Sequence, residues 1–125
     1  MKQKMDGLII NVSSWSGNHV SLLSGVSYTS SKHALNAMTE TINMKYCNYG
    51  IRACALCPGE VATAILDKRP KKLTIEQKNK MLQPDDLGET ISFLCQMPKH
   101  VCINELTISP TWHRRYIADL GIEKL

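Results

Sequence analysis

The sequence predicts an α/β fold built on a parallel sheet, and three observations predict it. Leu8, Ile9, Ile10 and Val12 form one short apolar run, and residues 51–56 form a second. Runs of that length suit buried strands rather than helices. Between them, Ala34, Leu35, Ala37, Met38, Ile42 and Tyr46 recur at helical spacing over residues 28–49. Strand, helix and strand in that order imply parallel pairing through a crossover, and such crossovers are right-handed.

Each element has its own local reason. Gly7–Val12 reads as a strand buried on both faces. Residues 13–27 are a Ser- and Gly-rich loop with Trp15, Val20, Leu22 and Leu23 as its apolar members. The helix over 28–49 ends at Gly50, where a left-handed cap residue belongs. Residues 51–56 form the second strand, stopped by Pro58 and Gly59. Residues 61–83 are mixed, a loop with a short helix and then a helical stretch over 74–82. Thr74 is its N-cap and Gln77 its capping-box partner. Gln83, Pro84, Asp85 and Asp86 open another helix, with Leu87, Ile91, Leu94 and Cys95 as its inward face and Pro98 after its end. Residues 101–109 read as a third strand ended by Pro110, and residues 112–125 as a mixed tail.

Composition narrows the class. A length of 125 residues allows at most one domain, and 43% apolar content is ordinary for a globular chain. No apolar run approaches the ~20 residues that span a bilayer. Residues 1–7 lack the apolar core of a signal peptide. The expectation is a cytoplasmic location without a membrane partner. The net charge of +4 is concentrated in Lys68, Arg69, Lys71 and Lys72. No aromatic residue is interleaved with them, so that run reads as a solvated loop rather than a nucleic-acid surface. Five cysteines are too odd a count for a closed disulfide framework. Cys54 and Cys57 have zinc-ligand spacing, but no second pair follows, and their apolar surroundings suit buried thiols. His19, His33, His100 and His113 show no ligand spacing. No metal is expected.

Tyr28 and Lys32 carry the chemistry. Four residues apart on a helix, they lie on one face, one turn apart. An ammonium beside a phenol favours the phenolate and lowers the phenol pKa from ~10. A Tyr tuned in this way exchanges protons near neutral pH. A hydroxyl from the Ser13-Ser14 pair upstream can bond the same reacting oxygen. Together they form an acid/base site for interconverting an alcohol and a carbonyl.

Three segments in order, Ile9-Ile10-Asn11-Val12-Ser13-Ser14, Tyr28-x-x-x-Lys32 and Cys57-Pro58-Gly59-Glu60-Val61-Ala62-Thr63, resemble the short-chain dehydrogenase/reductase family over almost the whole chain. Ser14 precedes Tyr28 by one residue more than is commonest in that family, a difference the connecting loop absorbs. The resemblance implies a Rossmann-like, doubly wound parallel sheet, of which this chain is the C-terminal half: about three strands with crossover helices. It implies NAD or NADP as cofactor and a small carbonyl or alcohol as substrate. Tyr28 would be the acid/base. Lys32 would tune it and hydrogen-bond the nicotinamide ribose. Ser14, ahead of Ser13, would polarise the carbonyl oxygen. Pro58, Gly59, Val61 and Thr63 would lie beside the nicotinamide, with Val61 main chain and the Thr63 hydroxyl near its carboxamide. Asn11 matches a strand-end position and does not replace the family's catalytic Asn. Trp15, Leu22, Leu23, Ile65 and Leu66 are candidates for a substrate pocket or for ordinary packing.

The family's glycine-rich turn, its Asn-Asn-Ala-Gly segment and its catalytic Asn have no counterpart in residues 1–125. The expectation is a partial domain, with Met1 internal to a longer parent and with Gly7–Val12 exposing an apolar edge. Family members are usually dimers or tetramers through the helix that bears the Tyr, so a homodimer or homotetramer is expected of the parent. The rival expectation is a catalytically inactive fragment or interaction module without cofactor binding.

Overall fold

The computed structural model describes residues 1–68 and 72–122. The basic run at 68–72 therefore falls largely outside the described residues, as does the end of the tail. Three parallel strands form one sheet: β1 (Gly7–Val12), β2 (Ile51–Pro58) and β3 (Glu105–Ile108), in the order β1-β2-β3. Gly7 pairs with Ile51 and Val12 with Leu56, and Ala55 pairs with Glu105. The helices are α1 (Val26–Tyr46), α2 (Ile75–Asn79), α3 (Pro84–Gln96) and α4 (Arg114–Asp119). Helix α1 crosses from β1 to β2 and packs on β2. No helix among the described residues is long and apolar enough to cross a membrane.

The core is the central strand. Ala53, Cys54, Ala55, Leu56 and Cys57 are all buried. Burial on both faces is thus a property of β2, not of β1 as the sequence suggests. Strand β1 pairs only with β2 among the described residues. It is half-buried along most of its length, and Val12 is exposed.

Helix α1 begins at Val26, two residues earlier than expected, and gives way to a 3-10 turn over Cys47–Tyr49. Its inward face also differs. Leu35, Ile42 and Tyr46 are half-buried as expected, but Ala34, Ala37 and Met38 point outward, and Thr29 and Thr39 are its buried residues. Hydrogen bonds decide this rotation. Thr39 Oγ1 accepts from Asn11 Nδ2 at 2.9 Å and donates to the Leu35 carbonyl at 2.8 Å. Asn43 uses both ends of its amide on Ala53, donating to the carbonyl at 2.7 Å and accepting from the N–H at 2.6 Å.

That amide explains why the third strand begins at Glu105 rather than at 101. The Ala53 backbone groups that a longer β3 would pair are taken by Asn43. Val101 instead closes a turn onto the Pro98 carbonyl. The Arg52 guanidinium donates to the carbonyls of Met97, Pro98 and Val101, pinning the turn that follows α3 to β2. Strand β2 runs on to Pro58, because β3 still pairs there.

The Thr74–Gln77 capping box forms as the sequence indicates, though its helix spans only Ile75–Asn79. Cys95 is exposed, so the inward face of α3 rests on Leu94 with half-buried Leu87 and Ile91. Residues 61–74 contain a 3-10 turn over Ala64–Lys68.

Gly50 has φ of 65°, and a Cβ there would lie 2.5 Å from the Met5 carbonyl oxygen. Both the left-handed backbone and the missing Cβ are required. Gly50→Ala is expected to destabilise the chain by about 1–3 kcal/mol, read as a lower urea midpoint.

Candidate active site

The carboxyl ends of the parallel strands point the same way, and the segments leaving those ends gather there. Ser13 and Ser14 come after β1, Gly59 and Glu60 after β2, and a loop leading to His113 after β3. They surround a cavity of about 750 Å³. Ser14, Tyr28, Pro58, Gly59, Val61 and Thr63 all line it. Lys32 is the one expected site residue outside the lining. Of the apolar candidates, Trp15, Leu23, Ile65 and Leu66 line the cavity; Leu22 does not, and stands fully exposed on its loop.

The two serines are used differently. Ser13 is buried. Its Oγ donates to the Lys32 carbonyl at 3.3 Å and its N–H to the Leu56 carbonyl at 2.7 Å, tying β1 to α1 and β2. Ser14 caps the 3-10 turn Trp15–Gly17, and its Oγ accepts from the Ser16 N–H at 3.1 Å. That bond leaves the Ser14 hydroxyl proton to be donated. The turn lies close against α1: a Cβ on Gly17 would come within 2.7 Å of Ser13 Oγ and 2.8 Å of Asn36 Nδ2.

Tyr28 stands in the first turn of α1 and is half-exposed. Lys32 Nζ lies 5.6 Å from the centre of its ring and donates to the Val12 carbonyl at 3.1 Å. The carbonyl at the end of β1 thereby holds the ammonium over the phenol.

The opposite wall is backbone. Leu82 donates its N–H to the Glu60 carbonyl at 3.0 Å, and Ala62 donates to the Leu82 carbonyl at 2.8 Å. Backbone direction alternates along an extended segment. The N–H and C=O of Val61 therefore face away from Leu82. Gly59 donates to the Ile108 carbonyl at 2.7 Å, and its missing Cβ makes room for Ser109.

The tail supplies residues that sequence reasoning does not single out. Glu60 and Arg114 form a bidentate pair, with Arg114 Nε donating to Oε2 at 2.6 Å and Nη2 to Oε1. This pair fastens the loop after β3 to the end of β2. His113 is buried, with its ring stacked on Tyr116 at 4.3 Å and tilted against Trp15 at 5.1 Å. Burial pushes its pKa below the ordinary 6.5, and Glu60 opposes the shift. The run Trp112-His113-Arg114-Arg115 is a visible cluster of aromatic and cationic residues. Only the tertiary fold shows that it returns to β2.

Burial pushes the Cys54 thiol up to about 11 and the Cys57 thiol in the same direction. Both are free thiols. No three His, Cys, Asp or Glu side chains converge as a metal site among the described residues.

Residues 1–74 match the family model described as short chain dehydrogenase. The chain belongs to the short chain dehydrogenase family. A human protein named dehydrogenase/reductase SDR family member 11 is 36% identical over 115 residues, which cover 85% of this chain and 44% of that protein. Among solved structures, a β-ketoacyl-[ACP] reductase from Bacteroides thetaiotaomicron superposes with a TM-score of 0.72 at 31% identity, covering 94% of this chain and 46% of that one. An alcohol dehydrogenase from the archaeon Thermococcus sibiricus, complexed with 5-hydroxy-NADP, gives 0.72 at 28% identity, covering 90% and 45%. The sheet is accordingly α/β and Rossmann-like. The chain spans less than half the length of each of these short chain dehydrogenase relatives.

Proposed function

We propose that this chain carries the proton-transfer site of an oxidoreductase that interconverts a carbonyl and a secondary alcohol. The observation that carries the reading is the grouping itself. Ser14 and Tyr28 line one cavity at the carboxyl ends of the strands, with the Lys32 ammonium 5.6 Å from the Tyr28 ring centre.

NAD or NADP, when bound, supplies or accepts the hydride. The residues present suit its nicotinamide end. Val61 offers a backbone donor and acceptor side by side, matching a primary carboxamide, and the exposed Thr63 adds a hydroxyl. A solved relative holding 5-hydroxy-NADP supports the same cofactor class. Pro58 and Gly59 form the floor against which the ring would rest.

During reduction Tyr28 gives its phenolic proton to the substrate oxygen, and during oxidation it takes one back. The Lys32 cation stabilises the negative charge that builds on the Tyr28 oxygen and would be the group to hydrogen-bond the nicotinamide ribose. Ser14 donates to the substrate oxygen and fixes its position. The substrate is a small carbonyl or alcohol compound with an apolar portion beside Leu23, Ile65 and Leu66. The outward apolar side chains of α1, Val26, Met38 and Met44, suit a parent that works as a homodimer or homotetramer.

The test is ketone reduction followed by consumption of NADH or NADPH. Ser14→Ala is expected to lower kcat by about 10²-fold, the loss typical of one hydrogen-bond donor at a developing charge. Undiminished turnover in a folded Ser14→Ala protein would remove Ser14 from the site. The rival reading, an interaction module, draws on the half-exposed apolar edge at β1. It would prevail if the intact protein bound neither cofactor.

A further inference from the structure

The tail places a second kind of chemistry at the same cavity. His113 lines the cavity and is only 5% exposed. Its ring makes no hydrogen bond among the described residues, and Nδ1 is sealed from solvent without a partner. Nε2 is the nitrogen left to meet a ligand. Burial keeps the ring neutral near pH 7, against Glu60 and with Arg114, Arg115 and His19 opposing a further charge. A neutral imidazole carries one N–H. A donor sealed at Nδ1 without an acceptor is the costlier arrangement, so we assign the proton to Nε2.

Arg115 stands beside it. Its guanidinium carbon lies 5.1 Å from the Trp15 ring centre, and the residue lines the same cavity. Arg114 is neutralised by Glu60, whereas Arg115 makes no ion pair among the described residues. His19 also stacks on Trp15, at 3.8 Å. The cavity lining therefore holds a cation without a carboxylate partner among the described residues, a buried N–H donor and a fixed aromatic plane, together with apolar Leu23, Ile65 and Leu66.

We propose that His113 and Arg115 form a subsite for a carboxylate of the substrate, which makes the substrate class an oxo acid or hydroxy acid with an apolar body. The inference rests on the reading of this cavity as the substrate site. A planar anion with two oxygens can accept from the guanidinium and from Nε2–H together. A cavity of about 750 Å³ that also takes the nicotinamide leaves room for a modest apolar body.

The probes are octanoate and its neutral isostere octanamide, titrated against the 125-residue chain carrying Trp112→Phe. Trp15 is then the sole tryptophan and reports binding directly. Octanoate is expected to quench Trp15 saturably, with a Kd about 10-fold or more below that of octanamide. Arg115→Met should narrow that ratio to about threefold or less, Arg115→Lys should keep most of it, and His113→Phe, which retains a ring against Tyr116, should reduce it. Equal affinity for acid and amide, or a ratio unchanged in Arg115→Met, overturns the subsite. Turnover of an uncharged ketone is read separately. Loss of the acid preference with Tyr28-dependent turnover intact removes the subsite alone. An acid preference with turnover indifferent to Tyr28 removes the catalytic reading instead.

Discussion

Tyr28→Phe is expected to lower ketone turnover by about 10²–10⁴-fold, the range supplied by one positioned acid/base group. The fold should not notice the change. Tyr28 is half-exposed, and its hydroxyl makes no hydrogen bond among the described residues. Phe keeps the ring under Lys32 and keeps the helical turn. What disappears is the atom proposed to deliver the proton. Far-ultraviolet circular dichroism and the urea midpoint should match the parent, while kcat falls and KM changes little. A folded Tyr28→Phe protein that turns over at the parental rate would show that the proton comes from elsewhere.

Asn43→Ala is expected to produce the largest loss of stability, about 2–5 kcal/mol. Ala53 is fully buried at the centre of the sheet, and its N–H and C=O both end on the Asn43 amide. Truncation removes both amide contacts at once and leaves the Ala53 carbonyl only the weak Cys102 thiol donor at 3.8 Å. Leaving a buried backbone donor or acceptor unsatisfied costs about 1–3 kcal/mol each. Asn43→Asp is a sharper variant. It keeps an acceptor for the Ala53 N–H but sets a carboxylate oxygen against the Ala53 carbonyl. It should lose stability too, though Asp is close to Asn in size. Thr41→Ala on the exposed side of the same helix removes only a bond to the Ala37 carbonyl, and should shift the urea midpoint little. Equal midpoints for Asn43→Ala and Thr41→Ala would show that the Asn43 amide does not hold β2.

The same asparagine shows where the sequence stops being legible. Apolar runs locate β1 to the residue and β2 nearly so, because a strand's period and its turn residues are local properties. The Thr74–Gln77 box and the Gly50 cap are legible for the same reason. The third strand is shorter than its sequence implies, since nothing in residues 101–104 announces that a helix side chain occupies their pairing partner. Apolar spacing misleads about the inward face of α1. The helix is oriented by Thr39 and Asn43, polar residues whose partners lie across the sheet.

The candidate site divides in the same way. Ser14, Tyr28 and the 58–63 segment lie within short motifs, and the fold brings them to one cavity. Glu60, His113, Arg114 and Arg115 meet only because the chain after β3 folds back over the end of β2. That closure spans more than fifty residues, and no local pattern encodes it. Leu22 and Leu23 are alike in sequence. Both are exposed, and they separate only because the loop sets Leu23 at the rim of the cavity and Leu22 away from it.

The central claim is that a positive charge held over Tyr28 drives proton exchange with a carbonyl or alcohol oxygen. The most direct measurement is ketone turnover by Lys32→Ala as a function of added methylammonium, at fixed reduced cofactor and fixed ionic strength. Removing Lys32 is expected to lower turnover by about 10²-fold or more. Methylammonium should then restore turnover saturably, by about 10-fold, and should do nothing for Tyr28→Phe. A folded Lys32→Ala protein that turns over ketone at the parental rate without any amine would contradict that claim.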